Sequence, residues 1–255
     1  MNIIIITCPK LVPERLYKQT LMLSKSISAG QILNLQFICM NDLELQRLTK
    51  IQYLPNEWNN DIDAGLDIFN ENISNNTNST FNGLRQNSIE QGRSYFPARF
   101  LSESEHSVAM RHVHALNIIA NGQSPCIVLE DDAQITNQTL FHSLIENFKE
   151  DFLERAFYDL CDDFIPIVYS SGRYCKKRDC NYWIKPIAVT RTLMAYALSP
   201  ITAKRLLSAF SHYSLPIDMQ FQVLLSKLNI PGLSLINTPF SHGSKSGDFA
   251  SAIKP

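Results

Sequence analysis

Residues 130–132 are three carboxylates in a row, Glu130-Asp131-Asp132, and they follow directly on the apolar run Cys126-Ile127-Val128-Leu129. Like charges side by side repel each other and resist burial unless something positive answers them. The carboxyl edge of an open α/β sheet is where such sheets bind ligands. Carboxylates placed there can coordinate a hard divalent cation, Mg2+ or Mn2+, and the cation can bridge to a diphosphate. The same triplet also fits a helix N-cap or a solvated turn, because Asp and Glu are common just past a strand.

A triplet of this kind needs a strand beneath it and helices around it. Residues 2–7 form a β-branched run that ends at Cys8-Pro9-Lys10, which predicts a buried strand and then a loop. Apolar residues at helical spacing follow over 14–28, and a short strand is expected at 35–39, so the chain opens as a βαβ unit with a parallel sheet. Residues 56–87 are rich in Asn, Ser and Thr and predict a loop or insertion, in which Asp61-Ile62-Asp63 reads as a solvated turn. A helix over 104–120, stopped by Asn121-Gly122, leads into the strand 126–129. Beyond it the pattern predicts a helix at 139–153, a strand at 164–169, a basic loop at 173–185 and a strand at 192–198. Two more helices are expected, at 200–209 with proline in the first turn and at 219–228.

Composition sets the frame. The 255 residues are 45 % hydrophobic and 18 % charged, enough apolar matter for a sizeable core in one domain. A formal net charge of −1 argues against a dedicated nucleic-acid binder. The opening MNIIIITCPK is too short an apolar run to span a bilayer and has no basic region before it, so a soluble, cytoplasmic chain is expected. The cysteines agree: Cys8, Cys39 and Cys126 lie in or beside apolar runs, and Cys175 and Cys180 form one pair with no second pair for zinc. His112 and His114 are two apart and diverge on a helix, so they make no zinc site either.

Three segments in order carry a resemblance. Ile3-Ile4-Ile5-Ile6-Thr7 leads to Glu14-Arg15; SEHSVAMRHVHAL (104–116) precedes CIVLEDDAQI; and AYALSPITAKRLL (195–207) is followed by Pro216-Ile217-Asp218. Together they resemble glycosyltransferase family 25, which includes lipooligosaccharide galactosyltransferases and collagen galactosyltransferase domains. The likeness covers most of the chain apart from the Asn-rich insertion and the basic loop. It departs from the family before the 104–120 helix, where Ser107 and Arg111 stand in place of a glycine-rich turn and Ser-His, and only His112 fits.

The resemblance implies a single GT-A-type, Rossmann-like α/β domain with a central, mostly parallel sheet, a nucleotide-binding half and an acceptor-binding half. It makes Glu130-Asp131-Asp132 the counterpart of a DxD motif. Asp132 is then the principal metal ligand, and Glu130 meets the ribose or a metal-bound water. Asp131 points the other way, because neighbours on an extended segment face opposite sides. The cation would stabilise a departing UDP, and an inverting transfer needs a base, for which Asp218 is the candidate; Asp218 also reads as a helix N-cap. The segment PFSHGSKSG (239–247) can close over a diphosphate as a C-terminal lid, with His242 on the metal and Lys245 on a phosphate, or can be a solvated tail. Arg15 meets the nucleotide or sits on a helix surface.

The implied donor is UDP-galactose, with UDP-glucose or a UDP-N-acetylhexosamine as alternatives, and the acceptor is a glycan or lipid-linked glycan such as lipooligosaccharide. Arg173, Lys176, Lys177, Arg178 and Lys185 read as a solvated face, or as a peripheral contact with an acidic acceptor or the inner face of a membrane. A different class of reading is a catalytically silent relative that binds glycans.

Overall fold

The structure, a computed structural model, describes residues 2–7, 14–15, 17–18, 21–23, 34–39, 52–53, 103–161, 176–177, 182–185, 192–210, 212–213 and 216–243. The Asn-rich stretch with Asp61-Ile62-Asp63, the strand expected at 164–169, and Lys245 lie outside these residues.

The chain opens on strand β1 (Asn2–Ile6), followed by helical turns at 14–15, 17–18 and 21–23, β2 (Asn34–Ile38) and the short β3 (Gln52–Tyr53). Helix α1 (Glu103–Asn121) leads to β4 (Cys126–Glu130) and β5 (Ala133–Ile135), then α2 (Gln138–Glu150) and β6 (Phe157–Asp159). Two further strands, β7 (Lys176–Lys177) and β8 (Tyr182–Lys185), precede β9 (Ala195–Leu198) and α3 (Pro200–Ala209). The described chain ends with β10 (His212–Tyr213), α4 (Ile217–Lys227), β11 (Gly232–Leu235) and β12 (Phe240–His242).

Eight strands form one sheet in the order β2-β1-β4-β9-β6-β11-β8-β7. β2, β1 and β4 are parallel, β9 runs against both of its neighbours, and β6 and β11 are parallel again. β8 opposes β11 and β7 opposes β8, so the two strands β9 and β8 run against the shared direction of the other six. The fold is therefore α/β with a mixed, mostly parallel sheet.

The continuous apolar runs follow from burial on both faces of a central sheet. Ile4 and Ile6 of β1 join Cys126 and Val128 of β4 in one core cluster, while Ile3, Ile5, Ile127 and Leu129 join the other. The first cluster is closed by α1, α3 and α4 through Val113, Leu116, Leu206 and Phe221. The second is closed by α2, which turns Phe141, Leu144, Ile145 and Phe148 inward, an amphipathic stripe of three- and four-residue steps. Asn137 caps α2 by accepting from Leu140 N at 3.0 Å, and Ser199 caps α3 through Thr202 N at 3.1 Å, with Pro200 in the first turn.

Three expectations change. The basic loop at 173–185 contains β7 and β8 and forms the last two strands of the sheet. Tyr182-Trp183-Ile184 of β8 are strand-forming residue types, and the outermost strand β7 is Lys176-Lys177, lysine on an edge discouraging pairing with other chains. β6 went unread because it is only three residues long, FYD, though all three are buried. Within the segment 239–247, Phe240–His242 form a strand: β12 pairs antiparallel with β5, Phe240 opposite Ile135 and His242 opposite Ala133, and 244–247 lie outside the described residues. Among the described residues, no helix is long and apolar enough to cross a membrane.

Cys126 and Cys161 are buried and Cys39 is exposed, all three as free thiols. Burial pushes the Cys126 thiol up to about 11, so it carries almost no thiolate at neutral pH. Alkylation of the native protein at pH 8 is expected to modify Cys39 and spare Cys126 until denaturant is added. Mass spectrometry of the digested protein checks this, and equal labelling of both would contradict the burial of β4.

Candidate functional site

The carboxyl edge of β4 lies at the middle of the sheet, and every element that meets it there arrives by simple geometry. α1 ends at the opposite edge, just before β4 begins. Nine residues of helix from Asn121 back to His112 climb roughly 13 Å, and the four steps of β4 from Cys126 to Glu130 climb about as far. His112 is thereby level with Glu130, and its Nε2 lies 3.0 Å from Glu130 Oε1. α4 ends near the start of β11, so its first turn also stands at the carboxyl edge. Asp218 is in that first turn and is half-buried.

The three carboxylates of the triplet go three ways. Glu130 is held by His112 of α1. Asp131 forms an ion pair with Arg15, both being 5 % exposed. Asp132, 7 % exposed, faces His242 of β12, with Oδ2 and Nδ1 3.5 Å apart. The backbone reinforces this last approach, because Gly243 N donates to Asp132 O at 2.8 Å.

His112 is fully buried, and its second ring nitrogen, Nδ1, lies 3.1 Å from the Tyr196 hydroxyl. Tyr196 sits in β9, its ring stacked on Phe157 at 5.6 Å and edge-on to Phe221 at 5.8 Å. Burial above all, and then the charge of Glu130, pushes the Tyr196 hydroxyl well above its ordinary value, so it stays protonated. A protonated hydroxyl can donate to Nδ1, and in the tautomer that accepts it Nε2–H donates to Glu130. Burial alone lowers His114, whose ring diverges from that of His112.

Of the residues singled out in the sequence, Glu130, Asp131, Asp132, Arg15 and His242 meet at this edge. Arg15 is buried rather than on a helix surface, since it answers Asp131. Asp218 does not cap α4: the helix starts at Ile217, and Gln220 N bonds Pro216 O at 2.9 Å, which puts Asp218 inside the first turn. A carboxylate there is stabilised by the helix macrodipole. Arg111 turns back on its own helix and donates to the Ser107 carbonyl at 2.8 Å.

Tyr196 was missed by sequence reading. The one signal for it was a hydroxyl-bearing ring inside an otherwise small and aliphatic strand, AYAL. Asp159, buried at the end of β6 on the same sheet face as Tyr196, was missed with its strand.

The donor chemistry suits a hard or borderline cation at Asp132 and His242: a carboxylate oxygen and an imidazole nitrogen, face to face. His242 Nδ1 is buried and makes no hydrogen bond, so this nitrogen is left for a ligand. Among the described residues, no group of three or more His, Cys, Asp and Glu side chains gathers around one point.

No model of a known protein family matches the chain, and no curated protein matches it.

The Arg15–Asp131 pair offers a direct test of how the triplet is held. Asp131→Ala removes one carboxylate from a buried ion pair and keeps the guanidinium in place, which costs about 3–5 kcal/mol of stability. The double variant Arg15→Met/Asp131→Leu is expected to regain most of that loss, read from urea unfolding. Additive losses in the double variant would show that the two side chains do not act as a pair.

Proposed function

We propose that this chain is a metal-dependent glycosyltransferase of the GT-A type that transfers a hexose, galactose first, from a UDP-sugar to a glycan acceptor such as lipooligosaccharide. The observation that carries the reading is the meeting of Asp132 with His242, residues 110 positions apart, at the tip of the central strand. A fold has little reason to bring these two together without hydrogen-bonding them, unless a third group binds between.

The sheet's division supports the same reading. The parallel strands β2, β1 and β4 would form the nucleotide half and β6, β11, β8 and β7 the acceptor half, with the antiparallel β9 between them. Asp132 and His242 would hold the cation, and Mn2+ or Mg2+ bound there neutralises the diphosphate of the leaving UDP. Glu130 would receive a ribose hydroxyl or a metal-bound water. Arg15 and Asp131 answer each other and brace the turn that presents Asp132. Asp218, at the same edge, would take the proton of the acceptor hydroxyl as that oxygen attacks the anomeric carbon from the side opposite UDP, giving inversion.

The measurement is UDP release from a panel of UDP-hexoses and UDP-N-acetylhexosamines, with Mn2+ and with EDTA. Turnover is expected with Mn2+, highest for UDP-galactose, and lost in EDTA. Asp132→Ala should lower it by at least about a hundredfold while far-UV dichroism stays unchanged. Full turnover in that variant would remove the metal assignment. Binding of UDP with no turnover of any donor would instead identify a silent, ligand-binding relative.

A further inference from the structure

Two side chains beneath the site do more than fill the core. His112 is fully buried between α1 and the sheet, in a layer otherwise made of Val128, Phe157 and Phe221. An imidazole and a phenol there must give up water, and apolar side chains of similar volume would pack without that cost. Their polar atoms are nonetheless aligned in one line: Tyr196 hydroxyl to Nδ1 at 3.1 Å, Nε2 to Glu130 Oε1 at 3.0 Å. The line starts on β9, crosses α1 and ends on the one carboxylate of the triplet that keeps a substantial open surface, the Glu130 side chain being 24 % exposed.

We infer that His112 and Tyr196 are positioning residues which lock the Glu130 carboxylate in a single orientation toward the nucleotide-sugar, and so set donor affinity more than the chemical step. This rests on the glycosyl-transfer reading. One oxygen of Glu130 is fixed from beneath, which leaves the carboxylate one way to present its outer edge to a hydroxyl donor on the ligand. A carboxylate held in place before binding loses no rotamer freedom when the ligand arrives. Loss of the anchor removes the contact that fixes this oxygen, and part of the donor's binding energy then goes into holding the carboxylate in place. The effect is the same for the bound donor and for the transition state, so it appears in KM and leaves kcat nearly alone.

The test has one arm independent of glycosyl transfer and one that depends on it. Long-range 1H–15N spectra of histidine-labelled protein are expected to show His112 in the Nε2–H tautomer, with that signature becoming mixed in Tyr196→Phe. For the second arm, donor kinetics with Mn2+ are compared for wild type, Tyr196→Phe, His112→Leu and His112→Gln. Tyr196→Phe keeps the stacked ring and loses only the hydroxyl. It and His112→Leu are expected to raise the donor KM about tenfold with kcat within about twofold, roughly the worth of one hydrogen bond in the line from Tyr196 to Glu130. His112→Gln, whose amide can still donate to Glu130, is expected to recover most of the affinity. Lower thermal stability with an unmoved donor KM would reduce both residues to core packing and overturn the inference. An Nδ1–H tautomer in wild type would overturn it as well. A wild type with the expected tautomer and neither UDP binding nor UDP release would sink the glycosyl-transfer reading, and the donor role of Glu130 with it.

Discussion

Three adjacent carboxylates cannot share one environment, and the architecture around β4 is arranged so that they do not. Two unit charges 4 Å apart repel by about 4 kcal/mol at the effective dielectric of roughly 20 typical near a protein surface. Here each charge is drawn off by a different element: Glu130 by α1, Asp131 by the helical turns after β1, Asp132 by β12. The repulsion is not merely tolerated. It makes separation of the three side chains the favourable state, and each side chain then serves as an anchor for the element it meets. A strand tip that would be a liability alone becomes the point to which three distant segments are tied.

The price of this arrangement is kinetic. Glu130 and His112 are 18 residues apart, but Asp131 and Arg15 are separated by 116 and the approach of His242 to Asp132 spans almost half the chain. Contacts so distant in sequence form only after long loops have closed, and folds rich in them are slow. α1 and β4 can meet early, with Glu130 already on His112. β12 can dock only once β5 and the turn at Asp131 are in place. Both long-range contacts of the triplet, Arg15 with Asp131 and His242 with Asp132, therefore depend on the closure of more than a hundred residues of chain, whereas Glu130 and His112 do not.

Periodicity and run length reveal elements that are long or wholly apolar. β1, β4, α1, α2 and α3 were legible for that reason, α3 to its terminal residues because proline and a capping serine mark its start. What escaped was short or depended on partners. β6 is three residues, below the length at which alternation can be recognised. β7 and β8 carry lysines that read as loop until a neighbouring strand satisfies their backbone. β12 holds small and polar residues, and becomes a strand because β5 offers it hydrogen bonds. The site divides in the same way. The carboxylates and His242 were visible by residue type, and Asp218 by its proline turn. Nothing in the order of the letters ties Arg15 to Asp131 or Tyr196 to His112, because those pairings exist only once the sheet has closed.

The partners of the triplet also differ in how completely they are satisfied. Arg15 and Asp131 are buried together as a close pair, which is a structural solution: neither has much surface left for a ligand. His112 is bonded at both nitrogens, while the carboxylate it holds still reaches solvent. His242 is the exception, close to a carboxylate but with Nδ1 outside hydrogen-bonding geometry. Native folds leave few buried polar atoms in that condition, since each costs about 1–3 kcal/mol. That the chain places an imidazole there, with its Nδ1 facing a buried carboxylate at 3.5 Å and making no hydrogen bond, is the physical reason to test for the proposed cation at this point.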